Sequence, residues 1–167
     1  MSMYKYVREL WKQPRENLGE LWQKRIIEWK KENTTVRIEK PTRIDKARSL
    51  GYKAKPGYIV VRQRVMRQKR QRPKFSSGRR SKHMRRKKIV KMAHQWIAEQ
   101  RAQKNYVNCT VLNSYPVGED GKYKWFEIIL VDRMSPSIKA DPRINWICEE
   151  RGRAARGLTS AARKSQG

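Results

Sequence analysis

The sequence predicts an α+β fold: a small antiparallel sheet with flanking helices, an N-terminal helical hairpin and basic extensions. Three observations predict it. Residues 107–117 and 123–131 are strand-like and flank Gly118-Glu119-Asp120-Gly121, a hairpin turn. Apolar residues recur at helical spacing near the N-terminus and again after residue 84. Long stretches of Lys and Arg without acids make up much of the remainder.

The elements follow in order within one domain. Residues 1–39 hold two helices, at 3–12 and 16–32. In the second, Leu18, Leu21, Trp22, Ile26 and Trp29 form an apolar stripe, and Pro14 is placed to begin it. Residues 40–83 form a basic loop, strand and extension. From Lys46 to Ala98 there is no Asp or Glu, against nineteen Lys or Arg. A short helix around Asp45–Leu50 ends at Gly51. The strand 58–66 alternates Ile59, Val61 and Val65 with Arg62 and Arg64, so one face is expected to meet a core and the other an anion. Residues 67–83 lack apolar anchors and are expected to order only against a polyanion.

The next helix spans 84–104, with Ile89, Met92, Ala93, Trp96 and Ile97 on one stripe. Arg85, Arg86, Lys87, Lys88 and Lys91 crowd its first turns, against the helix dipole, which favours negative charge there. The hairpin 107–132 follows. Its second strand is apolar on both faces, as an interior strand with cover on each side should be. Residues 133–167 are expected to be a basic C-terminal extension.

The charge sets the class of partner. The chain has 42 Lys and Arg against 15 Asp and Glu, a formal charge of +27, and a compact body so charged repels itself unless anions surround it. The 37% hydrophobic content is low for a globular domain, but six Trp and seven Tyr argue against a disordered polycation. No apolar run reaches the roughly 20 residues a membrane span needs, and no signal-peptide region follows the N-terminus. Cys109 and Cys148, far apart, are expected to be free thiols in a reducing compartment.

Catalytic and metal chemistry find little support. His83, His94, Cys109 and Cys148 lack the paired spacing of a zinc site. Glu119-Asp120 suits a turn, and Glu149-Glu150 a surface or helix start. Ser114 and Ser160 have no nucleophile elbow, and no GxxxxGK[ST] loop exists. Trp11, Trp22, Trp29, Trp96, Trp125 and Trp146 are expected mainly in the core rather than as base-stacking platforms.

Three stretches resemble the eL-fifteen family of large-subunit ribosomal proteins of archaea and eukaryotes. They are Pro41-Thr42-Arg43-Ile44-Asp45-Lys46-Ala47-Arg48-Ser49-Leu50-Gly51-Tyr52-Lys53-Ala54-Lys55, Leu112-Asn113-Ser114-Tyr115-Pro116-Val117-Gly118-Glu119-Asp120 and Arg156-Gly157-Leu158-Thr159-Ser160-Ala161-Ala162-Arg163-Lys164-Ser165. The opening Tyr4-Lys5-Tyr6-Val7-Arg8-Glu9-Leu10-Trp11 is similar too. The resemblance implies a non-enzymatic structural protein of the cytoplasmic large subunit, in contact with ribosomal RNA and neighbouring ribosomal proteins, without cofactor, membrane or small-molecule substrate. Members of the family continue past the Arg-Lys-Ser segment into a further basic tail, whereas this sequence stops at Gly167.

Lys and Arg that replace the counterions of phosphate gain affinity by releasing them, and Arg adds a planar two-bond grip. The candidate RNA-binding residues are Arg43, Lys46, Arg48, Lys53, Lys55, Arg62, Arg64, Arg67, Arg70, Arg72, Arg79, Arg80, Arg85, Arg86, Arg156 and Arg163. The loop 51–58 is ambiguous on composition. Its glycines allow close approach to phosphate and its tyrosines can stack on bases, but an ordinary turn with core tyrosines fits equally. The resemblance tips it toward RNA. The rival classes are a DNA-compacting chromatin-type protein, an RNA-directed enzyme and a polybasic membrane-surface protein.

Overall fold

The computed structural model describes residues 2–68 and 92–167. Its centre is a four-stranded sheet in the order β1-β2-β4-β3, antiparallel throughout. The strands are β1 (Thr35–Ile38), β2 (Tyr58–Met66), β3 (Cys109–Glu119) and β4 (Tyr123–Asp132). β4 lies inside the sheet and is buried from Trp125 to Val131, as its two apolar faces require. β3 carries two register shifts, at Val111/Asn113 and Pro116/Gly118. The second puts Gly118 inside the strand rather than in the turn.

Helices cover both faces. On one lie α1 (Met3–Leu10), α2 (Pro14–Lys31) and α3 (Ile44–Ser49). Pro14 occupies the first turn of α2, where its missing N–H costs nothing. The α2 stripe delivers Trp22, Ile26 and Trp29 onto Tyr115, Val117, Trp125 and Ile129. Trp11, Trp22, Trp29 and Trp125 pack in succession, with ring centroids 6.1, 6.3 and 6.0 Å apart. A Cβ on Gly118 would lie 2.9 Å from the Trp29 ring, so glycine there lets α2 sit close to the sheet. Leu21 departs from the expected stripe and is exposed. Gly19 breaks the helical path with φ 46°, so residues on either side of it do not share one continuous phase.

The other face carries α4 (His94–Asn105) and α6 (Ser160–Gln166). Ala98 and Ala102 of α4 pack on Val61, Val65, Val111, Phe126, Ile128 and Leu130. α4 starts at His94, with Ala93 extended at its N-cap, so Met92 and Ala93 are not helical as expected. The expected helical residues 84–91, Ile89 included, lie outside the described residues.

Two further corrections concern β2 and the C-terminal stretch. β2 does not divide into a core face and an anion face as expected: Val60, Val61, Arg62, Gln63 and Val65 are all buried, and of its two arginines only Arg64 stays partly exposed. Residues 151–167, part of the expected basic extension 133–167, pack on the body. Trp96 donates its indole N–H to the Ala154 carbonyl, and Ala93 N donates to Ser165 Oγ at 2.8 Å. A third small cluster joins Val131 to Ile138 of α5 (Pro136–Lys139) and to Ile144 and Ile147 around the 3-10 turn Asn145–Cys148. Both cysteines are free thiols, Cys109 buried.

Candidate nucleic-acid interface

The α1–α3 corner presents the first group of candidates. α3 ends as the sequence predicts: Gly51 N donates to Arg48 O and Tyr52 N to Ala47 O, a closed C-terminal turn. From this short helix Arg48 projects into solvent, its guanidinium 5.6 Å from the Tyr4 ring. Lys46 is half-buried, and no carboxylate pairs with either side chain among the described residues. Arg43 is more committed. It reaches Asp45 at 3.4 Å and lies over the Trp11 ring.

The two tyrosines of the loop before β2 turn toward the interior. Tyr52 and Tyr58 pack edge to face, centroids 6.1 Å apart, and join the aromatic core. A Cβ on Gly57 would sit 2.5 Å from Ile138 Cγ1, so that glycine makes room for α5. Lys53 and Lys55 both reach Asp141, at 3.0 and 2.7 Å, and hold its carboxyl below the usual carboxylate range. Two lysines thus share one carboxylate, which leaves the loop net positive.

β2 and the C-terminal stretch divide the remaining candidates. Arg62 is 9% exposed and lies over the Trp29 ring at 4.7 Å. Its fork grips both oxygens of Glu32, the nearest contacts at 2.7 Å. Arg64 donates to Lys30 O at 2.8 Å and covers Tyr123. Arg67 is exposed and its side chain donates to the Asp120 carbonyl at 3.3 Å. Arg156 is ion-paired with Glu150, whereas Arg163 on α6 is exposed. Arg70, Arg72, Arg79, Arg80, Arg85 and Arg86 lie outside the described residues, in a segment, 69–91, that holds twelve Lys or Arg and no acid.

Two buried carboxylates, which sequence reasoning did not single out, sit on opposite faces of the sheet. Glu127 accepts from Thr42 N at 3.1 Å and from Tyr115 Oη at 2.6 Å, beside Arg62. Glu99 accepts from the Ser114 and Thr159 hydroxyls, which ties α4 to β3 and to the C-terminal stretch. Burial raises both above the ordinary carboxylate value, and their hydrogen bonds oppose that rise. Each is enclosed by neutral donors and packed side chains, so they serve as structural ties between layers.

All fifteen acids lie within the described residues. Seven are ion-paired with Lys or Arg, and Glu99 and Glu127 are buried, so few remain to balance the open cations. Glu119 and Asp120 flank the hairpin turn on Lys124 and Lys30, and Glu149-Glu150 close a 3-10 turn rather than start a helix. Among the described residues no cluster of His, Cys, Asp or Glu is arranged to hold a metal ion, and no helix is long and apolar enough to cross a membrane. Five of the six tryptophans are buried as expected. Trp146 is the exception at 42% exposed.

Comparison with known proteins decides the family. A family model described as Ribosomal L15 matches residues 2–167. The chain belongs to the Ribosomal L15 family. Among its relatives, the large ribosomal subunit protein eL15 of Methanocella arvoryzae is 51% identical over 170 residues, covering 99% of this chain and 87% of the relative. The protein of the same name from Nanoarchaeum equitans is 49% identical over 169 residues, covering 100% and 89%. The match spans all the stretches that carried the resemblance, including the α3 corner and the C-terminal segment.

Proposed function

We propose that this chain is a structural, non-catalytic constituent of the cytoplasmic large ribosomal subunit that binds and stabilises ribosomal RNA by neutralising phosphate. The end-to-end match to the Ribosomal L15 family carries the reading. The charge supports it physically: 42 Lys and Arg stand against 15 Asp and Glu, and nine of those acids are already ion-paired or buried. Within the described residues the contacts to RNA are assigned to Lys46, Arg48, Lys53, Lys55, Arg67 and Arg163, which are open or only partly compensated. Arg70, Arg72, Arg79, Arg80, Arg85 and Arg86 join them on sequence grounds. Arg43, Arg62, Arg64 and Arg156 act by holding the body together. Most contacts go to phosphate, and base readout is slight. Neighbouring ribosomal proteins complete the surroundings.

Sedimentation of a cell lysate, with and without nuclease, tests the reading. Co-migration with the large subunit that survives a moderate salt wash is expected. Migration as free protein or with DNA would overturn it and favour a chromatin role.

A further inference from the structure

The exposure of Trp146 has no explanation in packing. Its neighbours Ile144 and Ile147 point into the third core cluster, and the tight turn between them turns Trp146 outward. The guanidinium of Arg153 lies 4.7 Å from the ring centroid and is itself fixed by donation from Nε to Val111 O at 3.2 Å. The indole is therefore held by an arginine on one side while 42% of the residue stays open to solvent. The surroundings are basic. Lys139, Arg143 and Arg151 are exposed in the flanking chain. Of the nearby acids, Asp141 is occupied by Lys53 and Lys55, and Glu150 by Arg156, leaving Glu149 alone.

We propose that Trp146, backed by Arg153, is a stacking platform for an unpaired RNA base. This rests on the RNA-binding reading and adds to it a site that does not work through phosphate. A rigid aromatic face amid cations suits a flipped-out or single-stranded nucleotide: the base covers the indole while its phosphates meet the neighbouring Arg and Lys. A protein partner would gain the apolar face but would have to accommodate the surrounding positive charge.

The test uses the full chain and a large-subunit ribosomal RNA transcript. In the free protein, acrylamide should quench one accessible tryptophan component, absent from Trp146→Phe. RNA should protect that component. Trp146→Ala should weaken binding by about tenfold while leaving the salt slope unchanged, because no phosphate contact is lost. Trp146→Phe should restore most of the affinity. If the wild-type chain binds the transcript but its accessible tryptophan stays equally quenchable, or if the alanine variant binds as tightly, the platform is refuted and RNA binding stands. If the wild-type chain does not bind the transcript, both readings fall.

Discussion

Arg62 of strand β2 and Arg48 of helix α3 come from the same acid-free stretch, yet they meet opposite fates. Arg62 of β2 is drawn inside, where Glu32 grips it from the end of α2 and Trp29 covers it. Arg48 of α3 stays in solvent with its guanidinium over the Tyr4 ring, and Lys46 has no carboxylate partner among the described residues. Glu32 lies 30 residues before Arg62 and Asp141 lies 86 residues after Lys55. Local absence of acids in sequence is therefore a poor guide to absence of acids in space. Tertiary contact decides which cations brace the fold and which remain for an anionic partner.

The sharpest way to break this contrast is to remove Arg62. Arg62→Ala leaves Glu32 unpaired beside the aromatic core and uncovers Trp29. It should cost about 3 kcal/mol, read as a lower urea midpoint at unchanged m. A cost below about 0.5 kcal/mol, the usual range for a surface change, would place Arg62 among the surface cations.

Tyr115→Phe tests the same region from the next strand. It removes the hydroxyl that donates to Glu127 and should cost about 1–2 kcal/mol by the same measurement. A neutral result would mean that the Thr42 amide suffices for that carboxylate.

A pH series sharpens the account further. Burial raises Glu127, so the folded protein keeps this proton at pH values where the unfolded chain has released it. Its contribution is full below the ordinary carboxylate value and is lost as pH rises through the raised one. Glu127→Gln has no such proton, so its stability relative to the parent should improve across that window. Parallel stability curves for the two proteins would contradict the assignment.

At the small end, Lys46→Ala and Arg48→Ala should each change stability by no more than about 0.5 kcal/mol, because neither side chain is tied to a carboxylate. A larger loss in thermal unfolding would mean that the α1–α3 corner depends on them.

The parts of the fold that sequence reveals are those with a strong one-dimensional pattern. β4 reads correctly because an interior strand needs apolar residues on both faces, and Trp22, Ile26 and Trp29 read correctly from helical spacing. β1 escapes because it is a four-residue edge strand, too short for its alternation to stand out. Leu21 is misplaced because it lies about 100° round the helix from Trp22, off the face that Trp22, Ile26 and Trp29 share. The candidate site is legible only as a charge excess. Which cations are free depends on carboxylates such as Glu32 and Asp141 arriving from distant chain positions. Trp146 is missed because its flanking isoleucines mark a core segment, and only a 3-10 turn puts the indole outside.

The measurement that tests the central claim most directly is the salt dependence of binding to large-subunit ribosomal RNA, for the parent chain and for a Lys46→Ala, Arg48→Ala, Arg163→Ala triple variant. The account predicts a steep fall in affinity with salt for the parent, and a slope shallower by roughly 0.7–0.9 for each lost contact in the variant. Equal slopes, with the variant fully folded, would show that these open cations face solvent in the complex and would contradict the claim that they neutralise phosphate.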